Sequence, residues 1–238
     1  EGEIPGNGID DDGNGYVDDV YGVDFVDGDS DPMDEHGHGT HVAGIIAMTP
    51  GNGGGVGVAY GAKIMCVRAG QANGSFASSD IAKAIKYAAD NGADVINMSF
   101  GGTGRSYLVE SALQDAFPSC VLVAAAGNDG LPTNDAKQAG YLFTEDIYPA
   151  GYKYVIGVMA TDNNKSLAYF SNWDFKEGSG CEYEMAAPGV GIYSTLPGNR
   201  YACWSGTSMA TPNVAAAAAI LRSKYTCLLY TSPSPRDS

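Results

Sequence analysis

Short apolar runs alternate along this chain with segments of helical periodicity, and that alternation restricts the fold more than any other feature. Lys63–Ala69, Asp94–Phe100, Cys120–Ala126 and Tyr154–Ala160 read as strands. Thr40–Met48, Ser79–Asn91, Tyr107–Phe117 and the alanine-rich Thr207–Lys224 read as helices. In the second of these, Ile81, Ala84, Ile85 and Ala88 make one face, and Gly92 stands just past the end as a stop. Apolar strands without a polar face, separated by helices, predict an α/β fold: a mainly parallel central sheet flanked by helices. Leu196-Pro-Gly-Asn199 reads as the turn of a hairpin before the last helix. Functional residues of such a sheet are expected at the carboxyl ends of its strands.

Residues 1–225 read as one domain, large enough to bury a sizeable core. Residues 226–238, with Thr-Ser-Pro-Ser-Pro at their centre, read as a non-native or disordered tail. The chain opens without an initiator Met on loop-like residues, as a piece of a longer protein would. A net charge of −15, from 28 acidic against 13 basic side chains, argues against nucleic acid and against an anionic membrane surface as partners. No apolar run reaches the length of a membrane span. The five cysteines match no zinc spacing; Cys66 and Cys120 read as buried thiols, and Cys181 and Cys203 as a possible pair.

Four segments carry candidate chemistry. In Gly206-Thr207-Ser208-Met209-Ala210, a serine at a helix start lies near unsatisfied N–H groups and the positive end of the helix dipole, which suits a nucleophile whose product is an oxyanion. The competing reading is a helix cap by Ser208 or Thr207. In His38-Gly39-Thr40-His41, His38 reads either as a general base or, with His41, as half of a metal pair. Asn128, after the strand ending Ala125-Ala126-Gly127, is an amide donor for an oxyanion or a turn residue. Ser99-Phe100-Gly101 is a strand end whose backbone could pair with an extended peptide.

Taken in order, these segments resemble the subtilisin-like serine proteases, from about Asp24 to Tyr225. Gly57-Val58-Ala59, Met185-Ala186-Ala187-Pro188-Gly189 and Ser194-Thr195-Leu196-Pro197-Gly198 are also similar to that family. The resemblance implies a serine endopeptidase with Ser208 as nucleophile, His38 as base and Asn128 as oxyanion donor. It implies a peptide cleft lined by Ser99, Phe100, Gly101, Ala125, Ala126 and Gly127. It further implies protein or peptide substrates, a monomeric secreted enzyme and a prodomain in the parent protein. One element departs from the pattern. The family's triad runs Asp, His, Ser, and no Asp-Ser-Gly or Asp-Thr-Gly occurs here. No catalytic aspartate is therefore assigned, the first central strand is expected to be missing, and the chain by itself is expected to be inactive. A non-catalytic binding domain and a transpeptidase on the same scaffold are the rival readings.

Two acidic loops precede His38. Asp24, Asp27, Asp29 and Asp31 alternate with other residues as hard oxygen ligands for Ca²⁺ do, and the segment resembles the calcium loop of thermostable subtilases. Met33 stands where that pattern often has an amide, which would shift the ligand set toward Asp34. Asp10, Asp12, Asn14 and Asp18 occupy EF-hand positions 1, 3, 5 and 9, but Tyr21 replaces the closing glutamate. Structural calcium is the expected cofactor at both loops, against the plainer reading of solvated acidic turns.

Overall fold

A computed structural model describes residues 2–174 and 182–225. Its elements follow in chain order as β1 (Gly22–Asp24), α1 (His38–Ala47), β2 (Cys66–Arg68), α2 (Ser78–Asp90), β3 (Val95–Met98), α3 (Tyr107–Ala116) and β4 (Val121–Ala125), then β5 (Ile156–Thr161), β6 (Met185–Pro188), β7 (Ile192–Leu196), β8 (Arg200–Trp204) and α4 (Thr207–Lys224). Strands β3, β4, β5 and β6 make a four-stranded parallel sheet in sequence order, with Met98 opposite Ala124 and Ala125 opposite Val158.

Both faces of that sheet are buried, because successive side chains of a strand point to opposite sides. On β4, Leu122 and Ala124 join Ile85 of α2 and Val109 and Leu113 of α3 in one core. Val123, one residue away, joins Val158, Ala160, Ala210 and Ala215 in the core beneath α4. The alanines of α4 let its axis approach the sheet closely, and Ala210, Ala215 and Ala216 are at most 2% exposed. Each fully buried Leu or Val contributes about 1.5–3 kcal/mol.

The expected α/β architecture holds, with two additions. β1 and β2 form a separate parallel pair, and among the described residues no ladder joins β2 to β3. β6 comes from Met185–Pro188, which the hydrophobic pattern does not mark as a strand: three of its four residues are exposed, as befits a sheet edge. The hairpin turn sits where expected, between β7 and β8, with Gly198 (φ 77) and Asn199 (φ 55) taking the left-handed conformation it requires. Cys120 is buried, its thiol 3.0 Å from the Ala93 carbonyl. Cys66 is exposed, a correction that follows from β2 being paired on one side only. Cys181 and the 226–238 tail lie outside the described residues, so the Cys181–Cys203 pairing does too.

Candidate active site

The site is assembled from the starts of two helices and the ends of two strands. α1 begins at His38, after Gly37 in the left-handed region (φ 94). Burial pushes the His38 imidazole below its usual value of 6.5; His36 and His41 push the same way, and the carboxylate of Asp34 opposes them. The side chain is therefore neutral at neutral pH, the state a base needs. His41, one turn on, is fully buried; its Nε2 lies 3.1 Å from the Ala202 carbonyl, and its ring stacks on Trp204 at 4.6 Å. It anchors α1 to β8. That contact, not metal ligation, accounts for the second histidine.

At the start of α4, neither hydroxyl caps the helix. The Thr207 N–H and Oγ1 both donate to Asn128 Oδ1, at 2.8 and 3.0 Å, and Gly127 N–H donates to Thr207 Oγ1. With its oxygen so held, the Asn128 side chain keeps Nδ2 as its available donor. Ser208 Oγ donates to the Ser99 carbonyl at 2.9 Å, and Ser99 Oγ returns a bond to the Ser208 carbonyl at 2.9 Å. His38, Asn128, Trp204, Gly206 and Ser208 line one pocket, with Cys203 and Met209 beside them.

Ser99, Phe100 and Gly101 continue from the carboxyl end of β3, and Ala125, Ala126 and Gly127 from that of β4. A methyl on Gly101 would lie 3.6 Å from the Ala125 carbonyl, so the two segments run next to each other. They are not equivalent. Ala125 and Ala126 are at most 3% exposed, Ala126 N–H donates to Val158, and Gly127 N–H to Thr207. This segment can wall a cleft, whereas main-chain pairing with a peptide would fall to 99–101. Next to Gly101 opens a cavity of about 270 Å³ whose lining includes Phe76, Phe100, Tyr148 and Tyr152; Phe76 and Phe100 stack at 4.6 Å.

The acidic loops are arranged differently from the expectation. Asp24, Asp27, Asp29 and Asp31 do not converge on a point. Asp24, 1% exposed, and Asp27 both receive the guanidinium of Arg68, which also reaches Glu35, while Asp29 and Asp31 accept backbone N–H groups two residues on. The cation among these carboxylates is thus an arginine from β2. Asp34 is no ligand either: its two oxygens take four donors at the start of α1. In the first loop Asp10 turns its carboxylate onto the N–H groups of Gly13, Asn14 and Gly15, Asn14 reaches Asp19, and Asp18 binds those of Asn7 and Gly8. Asp12 instead meets Glu3 and Asp19, with ligand oxygens all within 4.8 Å of one another. Three carboxylate donors this close fit a hard divalent cation.

Sequence reading missed Trp204, Thr207, Phe76, Tyr148 and Tyr152 at the site, and Glu3, Asp19 and Arg68 in the loops. Only the Gly-Thr-Ser context of Thr207 offered a local signal; the rest come from elements far apart in the chain.

A serine and a histidine at two helix starts share one pocket at the carboxyl ends of a parallel sheet, the placement that a serine nucleophile and a neighbouring base require. The model of the subtilase family matches residues 5–233, and the chain belongs to that family. It is 47% identical over 207 residues to a thermophilic serine proteinase of Bacillus sp. (strain AK1), an alignment covering 86% of this chain and 47% of that protein. It is 43% identical over 210 residues to subtilisin DY of Bacillus licheniformis, covering 88% and 72%. The crystal structure of a cold-adapted subtilisin-like serine proteinase superposes with a TM-score of 0.72 at 36% identity, over 87% of this chain and 68% of that one. The chain spans less than half the length of the Bacillus AK1 relative. Among the described residues no helix is long and apolar enough to cross a membrane.

Proposed function

We propose that the protein is a secreted serine endopeptidase that cleaves extended peptide segments through an acyl-enzyme on Ser208. The observation carrying this reading is that the Ser208 hydroxyl, free of helix capping, lines one pocket with His38 and Asn128. His38, held neutral, takes the serine proton and later delivers it to the leaving amine; the Asn128 amide and the Ser208 N–H stabilise the oxyanion. The 99–101 segment pairs with the substrate main chain, and Ala125–Gly127 walls the cleft. No aspartate is assigned to accept a hydrogen bond from the His38 ring, so turnover by these 238 residues alone is expected to be weak. Removing that aspartate in subtilisin, a relative, lowers kcat by roughly 3 × 10⁴. Structural calcium is placed at Glu3, Asp12 and Asp19 rather than at the 24–31 loop.

The test is labelling of the chain with a fluorophosphonate, which reacts with an activated serine. We expect a single adduct on Ser208, lost in Ser208→Ala and His38→Ala. Equal labelling of the His38→Ala variant would refute the base assignment. Product analysis of the parent enzyme with a peptide substrate separates hydrolysis from transpeptidation, since joined peptides would overturn the endopeptidase reading.

A further inference from the structure

We propose that Asp34 is a positioning residue for His38, pinning the backbone that aims the imidazole and supplying the negative charge it faces. The inference rests on the reading of His38 as the base. Helix α1 lacks a side-chain cap of its own, because the capping place is Gly37. Asp34 serves that end from four residues before the helix. Its Oδ1 accepts from the His36 and Gly37 N–H groups at 3.0 and 2.7 Å, and its Oδ2 from the Thr40 N–H and Oγ1 at 2.7 and 2.6 Å. His38 lies between the two clamped points, Gly37 and Thr40, so its backbone is held on either side.

The arrangement does more than a cap requires. A cap satisfies one or two orphan N–H groups of the first turn. Here one carboxylate gathers the loop before the helix, the left-handed glycine and the first turn around a single point. No hydrogen bond joins Asp34 to the imidazole, so its action on the ring is through the backbone and through charge. The titratable groups around His38 are His36 from the same loop, its ring 6.3 Å away, His41 from α1, Asp34, and the thiol of Cys203 from β8 in the same pocket. From β8 and α4 come Trp204 and Ser208, neither charged. Asp34 is the one anion of that set, and an anion there favours the imidazolium that forms when the serine proton is taken.

The experiment uses the 238-residue chain and two variants, Asp34→Asn and Thr40→Val. His38 is followed by NMR titration of its ring signals, and Ser208 by the rate of fluorophosphonate labelling per folded molecule across pH. In Asp34→Asn the His38 midpoint is expected to fall, because the one carboxylate that opposes the downward shift is gone. Labelling is expected to slow on the order of 10- to 100-fold, the effect of misaiming a catalytic group by an ångström. In Thr40→Val the charge stays and one clamp bond goes, so labelling is expected to slow severalfold with the titration unmoved. A folded Asp34→Asn variant with an unchanged His38 midpoint and unchanged labelling would reduce Asp34 to a structural cap and overturn the proposal. If that variant fails to fold, wild-type labelling rates in Thr40→Val overturn it instead. Absence of Ser208 labelling in both the wild-type chain and the parent enzyme sinks the serine-nucleophile reading, and the His38 titration in Asp34→Asn still decides the hold of Asp34 on the imidazole.

Discussion

At the scale of single residues, the site works by leaving particular atoms free. Thr207 occupies the Asn128 oxygen, so the amide is spent on orientation at one end and available at the other. Replacing Asn128 with Ala is expected to lower kcat by about 10²–10³ with little change in KM, the loss seen when the corresponding donor is removed from subtilisin itself. A parallel fall in binding would assign Asn128 to ground-state contact. The histidine makes a second prediction. Its pKa lies below 6.5 through burial, so the base is neutral above that value and protonated below it. The labelling rate of Ser208 is expected to rise with pH through a midpoint below 6.5 and then level off, and a midpoint above 7 would contradict the assigned environment.

At the scale of elements, the site depends on helices brought unusually close to strands. Gly189, at the end of β6, faces α4: an added methyl would lie 2.6 Å from the Ala160 Cβ and 2.8 Å from the Gly206 carbonyl, which is the residue preceding the helix. Gly189→Ala is therefore expected to cost about 1–3 kcal/mol by overpacking and to disturb Ser208 as well. Denaturant unfolding together with labelling checks this, and a variant of wild-type stability would show that the helix start has room to move. On the opposite face, Leu113 of α3 is completely buried against β4. Leu113→Ala is expected to cost about 2–5 kcal/mol by leaving a cavity, with labelling of the surviving folded fraction intact.

At the scale of the molecule, charge is neutralised in two ways. Arg68 bridges from β2 to the 24–35 loop, and its bond to Asp24 is buried while those to Asp27 and Glu35 are exposed. Arg68→Ala is expected to destabilise by about 3 kcal/mol, nearly all from the carboxylate of Asp24 left alone in the interior. The exposed pairs add little. At Glu3, Asp12 and Asp19 the neutralising agent under the proposed reading is calcium, so added Ca²⁺ at 100 times its Kd is expected to stabilise by about 2.7 kcal/mol. A thermal midpoint indifferent to calcium and chelator in the wild-type chain, and equally in Asp12→Asn, would leave that loop a hydrogen-bonded turn.

Strands β2 to β5, the helices and the hairpin turn were legible because each rests on local pattern: apolar runs, a period near 3.6, and residues suited to left-handed backbone. So were His38, Asn128 and Ser208, whose short motifs place each at the start of a helix or the end of a strand. What stayed illegible was partnership. The acidic run at 24–31 reads the same whether its counter-charge is calcium or an arginine some 40 residues away, because a loop's composition states its charge and not what faces it. In the same way the sequence left Ser208 as either cap or nucleophile, and only the fold, by seating Gly206 at the cap and turning the hydroxyl to the Ser99 carbonyl, removes the capping reading. Local backbone preference is written in neighbouring residues. Which carboxylate meets which cation, and which acceptor a hydroxyl turns to, is decided by contacts between distant segments, and those exist only once the chain has packed.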